Sequence, residues 1–346
     1  MAWTTKKGSL EKHVLPESEY WRLFNYFFSD SCRKTSTYKF ALLKAILDNL
    51  LNNIPQINGE KFFLSDIFAK FAESFWNLVV KYGLHQQKPN IQGQISKIEQ
   101  IFLRAIKENP ILESMEFAAI RKEEQDALIR QVRSECKKYV LGAMYDDFSQ
   151  SLYAFDLNED FILLSFGAYD FLLKYKMELE KLNYYHWARF LENINEESVL
   201  YGVIGKIEQS LPKREPLSIF RKILQTEFET DNCFYCGRKL SGIVHVDHFI
   251  PWSFVKEDRL WNFVLSCPEC NLKKSDSLPA ETLLAKLDAQ NSYFLSHETS
   301  FETSFIKRQF ENYNPELLSN LWHYAKHAGF RTMKNSPLPQ GRDKHK

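Results

Sequence analysis

The chain has 346 residues and a formal net charge of +1, from 45 Lys and Arg against 44 Asp and Glu. A hydrophobic content of 44% and an aromatic content of 15% exclude a disordered chain and predict a globular protein of roughly two or three domains. The N-terminus lacks an apolar signal segment, and no apolar run approaches the roughly 20 residues that span a bilayer. The sequence therefore predicts a cytoplasmic protein with no membrane partner.

The first 210 residues are predicted to form a mainly helical recognition or partner domain. The segment EYWRLFNYFFSD is aromatic on all sides, so we expect it to be largely buried rather than to stack on bases. In STYKFALLKAILDNLL, Ser36 or Thr37 can cap a helix. Its apolar residues recur at the spacing of one helix face: Leu43, Ile46, Leu47, Leu50 and Leu51.

Further along, SLYAFDLNEDFILLSF predicts a short hairpin, because its apolar runs are separated by Asp156 to Asp160. Helical patterns follow as far as YYHWARFLENIN. LPKREPLS, with Pro212 and Pro216, is then expected to link this region to a second domain. Cys32 and Cys136 lie far apart in helical-looking sequence, which favours buried thiols over a disulfide.

Two Cys-x-x-Cys pairs bracket the most informative stretch. Four thiolates with this spacing are typical of a closed tetrahedral zinc site: Cys233, Cys236, Cys267 and Cys270. Gly237 helps to turn the first pair, and Pro268 suits the first position of a helix that begins at the second pair. A redox-active pair would need a βαβ pattern, which is missing here.

The segment between the cysteine pairs carries residues suited to a second, harder metal ion. Alternation in GIVHVDHF predicts a strand whose polar side presents His245 and Asp247, with His248 at its exit. A carboxylate can bind a divalent cation while a neutral imidazole takes a proton from water. Asp-His alone is more often structural, but Asn262 and Asn271 stand at spacings that favour a site.

These motifs, VDHFIPWS and WNFVLSCPECNLKKSD framed by CFYCG, resemble the HNH endonucleases of the ββα-metal type, in their zinc-containing subgroup. The resemblance implies that His248 is the general base and that Asn262 braces the loop between two strands. It also implies that Asp247 and Asn271 bind Mg²⁺ or Mn²⁺, facing the same scissile bond as His248. His245 matches a position close to the metal or phosphate.

The fold class predicted from these observations is a mainly α N-terminal region plus an α+β ββα-metal (HNH) domain with a four-cysteine zinc site. Residues 217–285 are assigned to the nuclease domain, and 286–346 to a C-terminal helical extension with a basic tail. From residue 307 onward there are eight Lys and Arg against three acids. This excess indicates either a solvated helix face or a phosphate-contacting one.

The resemblance implies a metal-dependent nuclease acting on DNA, with a role in restriction or anti-phage defence and with defence-system proteins as further partners. Lys273 and Lys274 are expected to contact flanking phosphates, with an exposed charged face as the alternative. The alternative function is a non-catalytic, zinc-dependent nucleic-acid-binding module or scaffold subunit. The sequence does not indicate the oligomeric state or the target sequence.

Overall fold

The computed structural model describes residues 5–10, 14–208, 217–227, 232–297, 301 and 303–333. The expected linker at 211–216 and the basic tail beyond Met333 lie outside these described residues. The chain divides into two compact units, Met1–Leu211 and Pro212–Lys346. Within the described ranges, no helix has both the length and the apolar character needed to cross a membrane.

The first unit is mainly helical, as the sequence predicts. Its helices are α1 (Glu17–Phe28), α2 (Tyr38–Asp48), α3 (Leu64–Trp76), α4 (Lys97–Glu108), α5 (Lys122–Asp147), α6 (Phe166–Lys174), α7 (Lys176–Ile194), α8 (Glu197–Leu200) and α9 (Val203–Glu208). Cys32 and Cys136 are buried free thiols, which confirms the prediction for both.

Helices α1 and α2 both bury the apolar residues expected from the sequence. Four of the six aromatic side chains of α1 are buried and Tyr26 is 44% exposed, so the expectation of a largely buried segment holds for most of its aromatic residues. Helix α2 is enclosed almost completely, including Lys44, whose ammonium pairs with Asp48 one turn later. An internal ion pair lets a helix with charged residues lie inside the core.

The first unit also contains a five-stranded antiparallel sheet with the order β1-β4-β5-β3-β2. Its strands are β1 (Lys7–Gly8), β2 (Ile54–Gln56), β3 (Gly59–Phe63), β4 (Tyr153–Asp156) and β5 (Phe161–Leu164). The predicted hairpin is confirmed as β4 and β5. The β2–β3 hairpin is additional, although Asn58-Gly59 is a turn signal. Gly59 has φ of +145°, and a Cβ there would lie 2.1 Å from the Leu164 carbonyl oxygen.

The second unit contains a strand-strand-helix motif surrounded by helices. Its elements are α10 (Ser218–Glu227), β6 (His245–His248), α11 (Trp252–Val255), β7 (Phe263–Ser266), α12 (Pro268–Lys274), α13 (Leu284–Ser296), α14 (Thr303–Phe310) and α15 (Pro315–His327). Strands β6 and β7 are antiparallel, with His248 opposite Phe263. The ββα order beside four cysteines confirms the predicted fold class.

Helix α13 holds the β7 region of this unit by side-chain hydrogen bonds. Gln290 Nε2 donates to the Phe263 carbonyl oxygen at 2.9 Å, and Asn291 Nδ2 donates to the Trp261 carbonyl oxygen at 2.8 Å. The boundary expected between residues 285 and 286 falls inside α13. In the structure, the segment carrying the site and the helices after it belong to one unit.

Candidate functional site

The four paired cysteines form one compact cluster. Their sulfur atoms all lie within 4.8 Å of one another, and the Cys236 and Cys267 sulfurs are 3.9 Å apart. The first knuckle is closed by a hydrogen bond from the Gly237 N–H to the Cys233 carbonyl oxygen, and Gly237 has φ of +70°. That backbone conformation favours glycine. Cys267 caps α12, whose first residue is Pro268.

The cluster fits a zinc ion. Tetrahedral coordination with Zn–S bonds of about 2.3 Å separates the sulfurs by about 3.8 Å, close to the spacing between Cys236 and Cys267. Two donors already point at the sulfurs: the Cys267 N–H to Cys233 Sγ and Arg238 Nε to Cys236 Sγ, each at 3.4 Å. Burial raises the pKa of Cys236, but hydrogen bonds led by that of Arg238 outweigh it and bring the pKa to about 6. Thiolates are the form that binds zinc.

Asp247 lies on the face of β6 that meets α12 and the first cysteine knuckle. Tyr235 donates its hydroxyl to Asp247 Oδ2 at 2.6 Å. Lys274 Nζ, on α12, is 3.4 Å from the same oxygen. Burial raises the pKa of Tyr235 well above its usual value, and the charge of Asp247 adds to the effect. Tyr235 therefore remains a neutral donor that holds the carboxylate in one orientation.

Lys274 is placed differently from the flanking-phosphate contact expected for it. Its side chain is only 1% exposed, and its ammonium pairs with Asp247. Burial lowers the pKa of Lys274, while Asp247 acts in the opposite direction. In this arrangement Lys274 neutralises the carboxylate from inside the domain.

Lys273 and Asn271 lie on the same short helix. Lys273 is exposed and pairs with Glu269 Oε1 at 2.7 Å, and Glu269 also accepts from Arg238. Asn271 is half-buried, and its N–H donates to the Cys267 carbonyl oxygen. Asn271 stands three residues before Lys274, and residues three apart on a helix are neighbours on its surface.

His248 lies on the opposite face of β6 from Asp247, because consecutive residues of a strand alternate. Its Nε2 is 2.7 Å from Asp258 Oδ1, and the two side chains are 8% and 10% exposed. The Phe263 ring packs edge-on against the imidazole, with ring centroids 4.6 Å apart. His245, two residues before Asp247, shares the face of Asp247 and is half-buried.

Asn262 spans the loop between the two strands. Its Oδ1 accepts the Ile250 N–H at 2.8 Å, its Nδ2 donates to the Ile250 carbonyl oxygen at 2.9 Å, and its own carbonyl oxygen accepts the Phe249 N–H at 2.7 Å. The side chain is fully enclosed. These contacts fix the chain immediately after His248.

The structure thus brings Lys274 to Asp247 on one side of β6, and places His248 with Asp258 on the other. Among the described residues, the cysteine cluster is the one group of three or more His, Cys, Asp or Glu side chains positioned to bind a metal ion together. Sequence reasoning missed Tyr235, Asp258 and Arg238. No sequence spacing identifies these three residues, because each is assigned a role only through its contact with a side chain elsewhere in the folded domain.

Residues 233–277 match the family model for the HNH endonuclease. The match spans the four cysteines, both strands and α12, and it confirms the resemblance for this segment. Members of this family are generally nucleases. No curated protein and no solved structure gives a significant match to the chain.

Proposed function

We propose that the second unit is a metal-dependent HNH endonuclease that hydrolyses phosphodiester bonds of DNA. One observation carries this proposal. The segment that matches the HNH family is the segment in which four cysteine sulfurs converge beside a strand bearing Asp247 and His248. The cysteines would hold zinc for stability, because four thiolates leave no open coordination position for substrate.

Asp247 and Asn271 would hold Mg²⁺ or Mn²⁺, since carboxylate and amide oxygens are the ligands that these hard ions prefer. When bound, such an ion stabilises charge on the phosphate and on the departing 3′ oxygen. Tyr235 keeps the Asp247 carboxylate oriented, and the zinc knuckle fixes the backbone of Asn271. His245 lies on the same face and is available to a phosphate oxygen.

His248 would take the proton from the attacking water, a contribution typically worth about 10²- to 10⁴-fold in rate. It lies on the other face of β6 from Asp247. A single phosphodiester can therefore contact both side chains only if it lies across the end of the strand. His248 is the last residue of β6. Asn262 holds the chain there, which keeps the strand end in a fixed position.

The biological setting that we propose is restriction or anti-phage defence in the cytoplasm, with defence-system proteins as additional partners. Lys273 is the exposed cation nearest the proposed metal ligands along α12 and would contact a flanking phosphate. Its present partner, Glu269, is also exposed, so this surface ion pair is weak and easily exchanged.

A second candidate function is a zinc-dependent nucleic-acid-binding or scaffold module without catalysis. One observation favours it: both side chains of the Asp-His pair already have partners, Asp247 with Lys274 and His248 with Asp258. Such satisfied pairs are typical of structural networks as well as of active sites.

Plasmid cleavage separates these functions. Purified protein is incubated with supercoiled plasmid, with and without Mg²⁺, beside single-stranded DNA, duplex DNA and RNA of one sequence. We expect Mg²⁺-dependent nicks or cuts that disappear in His248→Ala, while the zinc content stays unchanged. His323→Ala, which removes an exposed histidine of α15, is the matched control and should cut normally. Binding without any cleavage would establish the second function instead.

A further inference from the structure

His248 and Asp258 form a nearly enclosed pair at the end of β6, with side chains 8% and 10% exposed. The Nε2 atom of His248 lies 2.7 Å from Asp258 Oδ1, which is a normal hydrogen-bond distance. Burying two polar side chains this deeply costs folding free energy unless they are hydrogen-bonded to each other. The contact joins the last residue of β6 to the loop that follows α11.

That loop is held in place by contacts that do not involve His248. Lys256 adopts the left-handed conformation, with φ of +54°, and ends α11. Arg259 pairs with Glu257 at 2.9 Å, and the Leu260 N–H donates to Gln309 Oε1 at 3.0 Å. The Asp258 carboxylate therefore belongs to a braced segment and can orient the imidazole.

An ionised carboxylate only accepts hydrogen bonds, so its partner nitrogen must carry the proton. If Asp258 holds Nε2–H, the lone pair of the neutral ring lies on Nδ1. Nδ1 has no hydrogen-bond partner among the described residues. The nitrogen that remains basic is thus the one without a protein partner.

We propose that Asp258 is a positioning residue that holds His248 in the Nε2–H tautomer, so that Nδ1 accepts the proton from the attacking water. This inference rests on the proposed nuclease function for its catalytic consequence. Asp258 would also stabilise the imidazolium formed when Nδ1 takes up the proton, as a third group does for the base in catalytic triads. The competing interpretation is a purely structural pair that attaches the loop to β6.

The kinetic test is Asp258→Asn, with Glu281→Gln as the control, since Glu281 is an exposed carboxylate of the same unit that pairs with His323 of α15. Asparagine is close in size but presents either an oxygen or an NH₂ group, so it no longer specifies the tautomer. We expect kcat for plasmid cleavage to fall about 10²-fold while KM and zinc content stay unchanged, a loss within the range of general-base catalysis. Glu281→Gln should leave kcat unchanged. An unchanged kcat in Asp258→Asn would overturn the proposal.

A spectroscopic test works even if no cleavage is found. Protein labelled with ¹⁵N-histidine is studied by long-range ¹H–¹⁵N NMR at about pH 8, above the usual imidazole pKa of about 6.5. The His248 signals are assigned by their loss in His248→Gln. We expect the Nε2–H tautomer in the wild-type protein and a mixture in Asp258→Asn.

Wild-type protein showing the Nδ1–H tautomer overturns the inference, and this measurement needs no variant of Asp258 to fold. Asp258→Glu provides a second check, because it keeps the carboxylate: it should retain the Nε2–H tautomer. Absent cleavage together with the expected tautomer would reject the nuclease function and leave the positioning role standing.

Discussion

Asn262→Ala should loosen the loop between the strands far more than an ordinary buried substitution. The side chain is 1% exposed and makes both a donated and an accepted hydrogen bond with the main chain of Ile250, which is itself fully buried. Alanine leaves that N–H and that carbonyl oxygen without these partners. Each unpaired buried group costs about 1–3 kcal/mol, so the sum is about 2–6 kcal/mol.

Hydrogen–deuterium exchange measured by mass spectrometry resolves this effect within the second unit, since it reports local opening. A loss of about 2 kcal/mol or more corresponds to about a 30-fold or larger rise in the opening constant for the segment containing Ile250. Asn291→Ala is the matched control. Asn291 is an equally buried asparagine whose side chain donates one main-chain hydrogen bond, to the Trp261 carbonyl oxygen.

We expect Asn291→Ala to raise exchange less than Asn262→Ala does, and to raise it around Trp261 rather than Ile250. The zinc content of both variants should equal that of the wild type, because neither residue contacts a cysteine sulfur in the described structure. If the two variants raise exchange at Ile250 equally, the bracing role assigned to Asn262 is refuted.

Three further predictions concern the cysteine cluster and the charged residues beside it. Cys236→Ser should lose zinc and the protease resistance of the second unit, while Cys32→Ser keeps both; elemental analysis and limited proteolysis measure this. Lys274→Met leaves the buried Asp247 carboxylate without its cation, which costs about 3–5 kcal/mol in unfolding free energy. Calorimetry should show that Mg²⁺ raises the melting temperature of this variant more than that of the wild type, and an equal rise would contradict the pairing. Glu269→Gln frees two exposed cations, so DNA binding should tighten and its salt dependence steepen by a slope of up to about 1.8; an unchanged slope in a binding titration would count against this.

The sequence predicted the cysteine cluster and the ββα order because both depend on short-range spacing. Two residues between cysteines, with Gly237 and Pro268 at the turns, specify the knuckle geometry locally. Asp258 could not be assigned in the same way, because its distance from His248 depends on how α11 and the following loop fold back.

The same limit applies in the first unit. Aromatic composition predicted that α1 is largely buried, but composition does not show which face meets the core, and Tyr26 is exposed. The β2–β3 hairpin had a local signal in Asn58-Gly59. Its place in a sheet with β5, however, depends on residues about 100 positions away, which no local pattern encodes.

In the nuclease proposed above, the buried pair of Asp247 and Lys274 would link metal binding to DNA binding. A divalent ion at Asp247 would displace a cation that is 1% exposed, and an unpaired buried ammonium is strongly unfavourable. Once displaced from its buried position, Lys274 would pair with a phosphate of the bound DNA, so each binding event would lower the cost of the other. Coupling of this kind is reciprocal: DNA should raise the affinity for the ion by the factor by which the ion raises the affinity for DNA. A chain with a net charge of only +1 would thereby bind a polyanion at the proposed site without relying on its net charge.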